Sequence, residues 1–147
     1  MINALSIDLE EWYHSELVGG RRSPQSQVAE ATQPILDLLD RYQTKASFFI
    51  VGEVAERNQD LVRSIFNKGH EIGCHSFSHK LLWNLNESLL REELEHFHYV
   101  MGGILGKIKI KGFRAPCFSI DNRNKWALKV LLDFGYQYDA SIFPLKM

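Results

Sequence analysis

The stretch GHEIGCHSFSH, residues 69–79, joins a predicted strand to a cluster of histidines and decides how the rest of the chain is interpreted. Its opening glycine ends a helical pattern, as helix C-caps do, and HEIGCH then predicts a strand. His75 and His79 follow this strand and converge on one point if the residues between them form a helical turn. Neutral imidazoles bind zinc and similar metals, so the pair is half of a candidate metal site. The alternative is a polar loop with structural histidines, and strand alternation predicts that His70 faces away from the pair.

Short apolar strands alternate with longer helical patterns on both sides of this stretch. The predicted strands are NALSIDLE (3–10), KASFFIVG (45–52), HEIGCH (70–75), KGFRAP (111–116) and YQYDASI (136–142). Apolar spacing and closing glycines predict helices over residues 28–42, 54–68, 86–106 and 125–134. This βαβαβαβαβ order predicts an α/β fold with a mostly parallel sheet, either an open doubly wound sheet or an incomplete barrel. In both folds the loops at the C-terminal ends of the strands carry the chemistry.

The composition limits the number of domains and the classes of partner. The chain has 147 residues, of which 45% are hydrophobic and 24% charged, enough for one domain or part of one over residues 1–147. A net charge of −1 disfavours nucleic acid, and no window approaches ~18 consecutive apolar residues, so we expect no stable membrane insertion. Cys74 and Cys117 belong to no CxxC pair, which predicts thiols outside any disulfide. The N-terminus shows no signal-peptide pattern, which predicts a cytoplasmic protein.

The first predicted strand ends in acidic residues that complete the candidate metal site. Asp8 and Glu10 are two residues apart in SIDLEEW, so on a strand they project from the same face. Charged residues in an otherwise apolar strand of a parallel sheet are unfavourable unless they are paired or bind metal. Glu11 is expected to point the other way, into solvent. Trp12 and Tyr13 are either a substrate platform or ordinary core and rim aromatics.

The fourth predicted strand ends in GFRAPC, residues 112–117, and brings an arginine to the same end of the sheet. Arg114 is expected to fork onto a carboxylate such as Asp8 and hold its orientation. The alternative is a surface arginine at a strand end. Carboxylates after strand one, histidines after strand three and arginine after strand four all meet at one end of a parallel sheet, which favours a common site.

Taken in order, SIDLEEW, GHEIGCHSFSH and GFRAPCFS resemble the first three motifs of the polysaccharide deacetylases of the NodB-homology type, carbohydrate esterase family 4. The resemblance implies a distorted (β/α) barrel, of which this chain supplies the five strands named above. It implies that His75 and His79 are metal ligands. One branch of the family spaces its acidic pair by one residue, and by similarity to that branch Asp8 is the catalytic base and Glu10 the third ligand.

The resemblance also implies the reaction and its partners. The activity is metal-dependent removal of N-acetyl groups from a sugar or glycan, with zinc the favoured divalent metal although cobalt, nickel or iron also suit the ligand set. Arg114 orients the base, and the backbone N–H of Cys117 stabilises the oxyanion. The absence of a leader favours a cytoplasmic precursor of a bacterial surface polysaccharide as substrate.

The resembled enzymes carry two later motifs, one of which supplies a histidine general acid. No histidine follows residue 98 in this chain, so we expect a piece of a longer enzyme or a short homologue that needs a partner. Strand edges left uncovered predict self-association into a homo-oligomer.

Three other functions stay open from the sequence. A hydrolase of the same superfamily that cleaves a cyclic amide or ureide would use the same opening motifs, and a panel of amide substrates separates it from a sugar deacetylase. A catalytically degenerate glycan-binding module would bind sugar without metal-dependent turnover. A metal-free α/β scaffold with structural histidines would show no bound metal.

Overall fold

The computed structural model describes residues 4–15 and 25–142, and these form a single parallel sheet with helices packed on it. The strands are β1 (Ser6–Leu9), β2 (Ser47–Ile50), β3 (Glu71–Cys74), β4 (Gly112–Phe113) and β5 (Tyr138–Asp139). The helices are α1 (Val28–Arg41), α2 (Gly52–Arg57), α3 (Gln59–Asn67), α4 (Glu87–Leu105) and α5 (Trp126–Asp133). The predicted alternation of strands and helices is therefore confirmed. No helix in this part of the chain is long and apolar enough to cross a bilayer.

The strand order distinguishes between the two parallel folds that the sequence allows. Each strand pairs in parallel with the next one along the chain, in the order β1-β2-β3-β4-β5. Helix α4 contacts α2, α3 and α5, so these four helices form a connected layer. A doubly wound sheet reverses its strand order at a switch point, whereas a (β/α) barrel adds each strand beside the previous one. The observed order is that of a barrel segment.

Alternation along the strands separates an apolar face from a polar face. The main hydrophobic cluster includes side chains from the first four strands, namely Leu9, Phe48, Ile50, Ile72 and Phe113. By alternation, the opposite face carries Ser6, Asp8, Ser47 and Glu71, where the Ser47 hydroxyl donates to the Glu71 carboxylate at 2.5 Å. The helices thus cover one face, and the other face, the inside of a barrel, carries these polar side chains together with Phe49.

The predicted helix over 54–68 is instead two helices, α2 and α3. The break is at Asn58, whose φ of −126° and ψ of 51° are not helical. Its side-chain amide donates to the carbonyl oxygen of Val54 at 3.0 Å, a local bond through which asparagine competes with the helix. The longest predicted helix begins as expected, since the Asn86 side chain accepts from the backbone N–H of Leu89.

The prediction that Glu11 is solvated is wrong. Glu11 is only 3% exposed, and its carboxylate accepts hydrogen bonds from the Ser26 hydroxyl and from the backbone N–H of Gln27 at 3.1 Å. These two donors immediately precede α1, where backbone N–H groups lack helical partners. Glu11 therefore ties the segment after β1 to the start of the first helix.

The two cysteines are confirmed as thiols outside any disulfide. Cys74 ends β3 in the core, where burial raises the pKa of its thiol to about 12. Cys117 is exposed in the loop after β4.

Candidate metal centre

Three predicted ligands converge at the C-terminal end of the sheet. The potential ligand atoms of Glu10, His75 and His79 all lie within 4.8 Å of one another. Nε2 of His79 is 2.6 Å from Oε2 of Glu10. Both histidines are buried, and the carboxylate is partly exposed. Segments after two strands that are not neighbours, β1 and β3, therefore supply one compact donor set.

The bonding of these side chains fits a divalent cation. Oε2 of Glu10 and Nδ1 of His79 are buried without an assigned hydrogen-bond partner among the described residues. Nδ1 of His75 contacts the backbone carbonyl of Arg114 at 2.7 Å. A ring N–H donated to that carbonyl leaves the Nε2 lone pair for a metal, as in histidine ligands generally. Two imidazoles and one carboxylate with further positions for water suit zinc and related metals.

The electrostatics favour the protonation states that ligands require. Burial lowers the pKa of His75, which favours the neutral imidazole. Burial alone would raise the pKa of Glu10, but the contact with His79 outweighs burial and lowers that pKa. A neutral imidazole and an ionised carboxylate are the forms that bind metal.

Asp8 lies beside this donor set but outside it. Its Oδ2 is 3.9 Å from Nε2 of His75, and its Oδ1 accepts from a guanidinium nitrogen of Arg114 at 2.6 Å. The predicted contact between Arg114 and Asp8 is present, but the fork is not bidentate. The other guanidinium nitrogens donate to the Ser6 hydroxyl at 3.0 Å and to the carbonyl of Ala140 at 3.2 Å. Arg114 thus links Asp8 and Ser6 of β1 to the segment that follows β5.

The histidines converge by a different backbone path from the predicted helical turn. Ser76 and His79 have φ of 64° and 58°, in the left-handed region, and the residues between them form a bend. Cys117 and Phe118, in the short 3₁₀ turn after β4, have φ of 50° and 53°. Such conformations cost about 1–3 kcal/mol each outside glycine and concentrate at functional sites.

The comparisons with known proteins identify the family. Residues 23–138 match the family model described as polysaccharide deacetylase. The chain belongs to the polysaccharide deacetylase family. It is 37% identical over 99 residues to a peptidoglycan-N-acetylglucosamine deacetylase of Bacillus cereus, which covers 67% of this chain and 36% of that protein.

Solved structures of the same family show the fold. A family 4 carbohydrate esterase from Bacillus anthracis matches with a TM-score of 0.70 and 26% identity over 92% of this chain and 56% of the esterase chain. A family 4 pseudoenzyme from the same species matches in fold with a TM-score of 0.72 and 21% identity, over 92% of this chain and 41% of its own. The predicted family and barrel-type fold are thereby confirmed. The chain spans about a third of the B. cereus relative and about half of the solved structures.

The matched residues 23–138 include the second motif (69–79) and the third (112–119) but begin after the first. Asp8 and Glu10 therefore lie outside the matched residues, and the geometry alone places them at the site. The roles of Asp8 as base, Glu10 as ligand and the Cys117 N–H as oxyanion donor stay predictions. His70 lies apart from the cluster, where its Nδ1 accepts from the backbone N–H of Ala46 at 3.3 Å.

Sequence reasoning missed one histidine that lies beside the candidate metal centre. The ring of His14, in the 3₁₀ turn Trp12–His14, stacks on the ring of His79 with 5.3 Å between centroids and 13° between planes. Its Nδ1 accepts from the backbone N–H of Glu11 at 3.2 Å. A histidine four residues after the candidate ligand Glu10 was the available signal. Of the two neighbouring aromatics, Tyr13 is buried and accepts from Arg57, whereas Trp12 is 46% exposed.

The support of the third motif was also missed. The backbone N–H of Ala115 donates to the Ser141 hydroxyl at 2.7 Å, and that hydroxyl donates to Asp139 at 2.5 Å. Both side chains come from the segment YDAS that follows β4 and α5 along the chain. This network holds the backbone next to Arg114, and two polar residues two positions apart at a predicted strand end, Asp139 and Ser141, were its sequence signal.

Proposed function

We propose that the protein is a metal-dependent hydrolase that removes N-acetyl groups from a carbohydrate. The observation that carries the proposal is the convergence of Glu10, His75 and His79 beside an arginine-held Asp8. Membership of the polysaccharide deacetylase family supports it. The name of the B. cereus relative favours an N-acetylglucosamine glycan as the substrate class.

The residues of the site divide the reaction between them. A divalent cation held by Glu10, His75 and His79, with zinc favoured, would polarise the acetamide carbonyl and make water a stronger nucleophile at neutral pH. Asp8 accepts a proton from the attacking water, and Arg114 keeps its carboxylate aimed. The backbone N–H of Cys117 donates to the carbonyl oxygen as negative charge develops there.

Bond breaking then releases acetate and the amine of the sugar. Water adds its oxygen to the carbonyl carbon, the C–N bond breaks, and the departing nitrogen takes up a proton. The sequence contains no histidine after residue 98 that corresponds to the general acid of the later family motif. A missing positioned acid lowers rates by about 10²–10⁴-fold, so we expect slow turnover by the 147-residue chain.

The proposal is tested by metal dependence of acetate release. Purified protein is assayed on N-acetylglucosamine oligomers before chelation, after chelation, and after zinc is restored. We expect activity to disappear and return with the metal, and Glu95→Ala, an exposed change on α4, serves as the matched surface control. Acetate release that survives complete metal removal would contradict the mechanism. The same assay is also run on cyclic amides. Release of product from the cyclic amides alone would favour the non-sugar hydrolase.

A glycan-binding module without turnover is the second candidate. This candidate predicts that the protein binds N-acetylglucosamine oligomers with the same affinity with and without zinc and releases no acetate from them. Cytoplasmic localisation and a surface-polysaccharide precursor as substrate stay predictions from the sequence.

A further inference from the structure

A buried glutamate of α4 lies against the loop that carries both histidine ligands. We call residues 75–79 the ligand loop. The side chain of Glu93 is 8% exposed and faces this loop. Its two oxygens accept hydrogen bonds as follows: Oε2 from the Ser76 hydroxyl (2.8 Å) and the N–H groups of Phe77 (3.0 Å) and Ser78 (2.7 Å), and Oε1 from the Ser78 hydroxyl (2.6 Å) and Lys80 Nζ (3.3 Å).

The start of α2 binds the ligand loop by complementary groups. The N–H of Gly52 donates to the carbonyl of Ser76 at 3.0 Å, and the N–H of Glu53 donates to the carbonyl of Phe77 at 2.9 Å. Glu93 therefore satisfies the N–H groups and hydroxyls of the loop, while α2 satisfies its carbonyls. The backbone between the two ligands is held from both sides.

The chemistry of the contacts requires a carboxylate at this position. Burial alone would raise the pKa of Glu93, but hydrogen bonds from Ser78 and Ser76 and the charge of Lys80 outweigh it and lower that pKa. The group is thus an anion at neutral pH, and hydrogen bonds to an ionised acceptor are stronger than neutral ones. An apolar side chain here would leave the buried Ser76 hydroxyl, the partly buried Ser78 hydroxyl and two N–H groups without their acceptor.

We propose that Glu93 is a positioning residue that sets the separation and direction of the His75 and His79 rings and thereby the affinity of the site for metal. Ser76 and His79 adopt left-handed backbone conformations that the ligand loop would not keep unaided. Outer groups that orient metal ligands typically change metal affinity or activity by about 10–100-fold when removed. The inference rests on the metal site of the proposed function.

Metal affinity in the folded protein separates positioning from a purely structural role. The full 147-residue chain is titrated with Co²⁺ and Zn²⁺ as wild type, Glu93→Ala, Glu93→Gln and Glu95→Ala, at a temperature where urea unfolding shows each variant to be folded. We expect Glu93→Ala to bind about 10–100-fold more weakly and to alter the Co²⁺ absorption bands. Glu93→Gln keeps an acceptor for three donors but loses the charge, so we expect an intermediate affinity. Glu95→Ala, two residues away on the same helix and exposed, leaves affinity unchanged.

The outcomes distinguish this inference from the proposed function. A folded Glu93→Ala with wild-type affinity and an unchanged Co²⁺ spectrum would overturn the inference, because Glu93 would then anchor α4 only. Failure of the wild type to bind either metal would overturn the proposed function instead. If Glu93→Ala does not fold, Ser78→Ala takes its place, because it removes the hydroxyl that donates to Glu93. Ser78→Ala should weaken metal binding when Glu93 is present. It should cause no further loss of affinity when Glu93→Gln is already present. Equal effects of Ser78→Ala in both backgrounds would contradict the coupling.

Discussion

Replacing Gly52 by alanine tests how tightly the ligand loop is enclosed. A Cβ atom at this position would lie 2.3 Å from Cδ2 and 2.9 Å from Cα of Phe77. The aromatic ring has some freedom to turn away, but the Cα atom belongs to the loop backbone. An ordinary contact between this Cβ and the Cα of Phe77 begins at 3.4 Å. The loop backbone would therefore have to move about 0.5 Å away from the start of α2.

The expected change in stability has the opposite sign to that of an ordinary glycine-to-alanine substitution in a helix. Gly52 begins α2 and has no left-handed φ, so alanine there would normally stabilise by about 0.4–1 kcal/mol. Overpacking against Phe77 should instead destabilise by about 1–3 kcal/mol. At this chain length each kcal/mol lowers Tm by about 2–4 °C. Displacing the loop should also weaken metal binding, since sites of this kind tolerate only about 0.5 Å of error.

Gly102→Ala is the matched control, because no atom beyond the local backbone of its own helix lies within 4 Å of its Cβ position and it is exposed in α4. We expect it to stabilise by about 0.5–1 kcal/mol without changing metal affinity. Urea unfolding and Co²⁺ titration measure both quantities for the two variants. A Gly52→Ala protein that is as stable as wild type and binds Co²⁺ equally well would refute the enclosure argument.

The remaining predictions concern the site, the sheet and the thiols. His75→Ala or His79→Ala should each abolish stoichiometric zinc in metal analysis, and full zinc in both would refute the ligand assignment. Asp8→Asn should keep the metal but lower acetate release by about 10²–10⁴-fold, and loss of zinc would make Asp8 a ligand instead. In the described part of the chain β1 and β5 are edge strands, so light scattering should show self-association, and a stable monomer would contradict this. Burial raises the pKa of the Cys74 thiol to about 12, so mass spectrometry after iodoacetamide at pH 8 should find exposed Cys117 modified and Cys74 unmodified, whereas equal labelling would show that the core opens.

Periodicity predicted which elements form and where their ends meet, because both follow from local rules. Strand alternation placed Asp8 and Glu10 on one face, and parallel pairing brought the ends of β1, β3 and β4 to one edge of the sheet. The same rules did not predict the left-handed bend between His75 and His79. That conformation is unfavourable locally and depends on partners more than twenty residues before it, in α2, and more than ten after it, in α4.

The position of Glu93 nevertheless left a signal in the sequence. The buried side of α4 runs through Leu90, Leu94, Phe97 and Met101, and Glu93 lies at i+3 from Leu90 on that same side. An acidic residue in an apolar stripe is unfavourable unless several donors reach it, so it implies a polar segment packed against the helix. The serines of the ligand loop are donors of this kind, and they lie between the two histidines of the only HxxxH pair in the sequence. A glutamate inside a hydrophobic stripe, together with a serine-rich ligand loop, therefore predicts their contact before any coordinates are known.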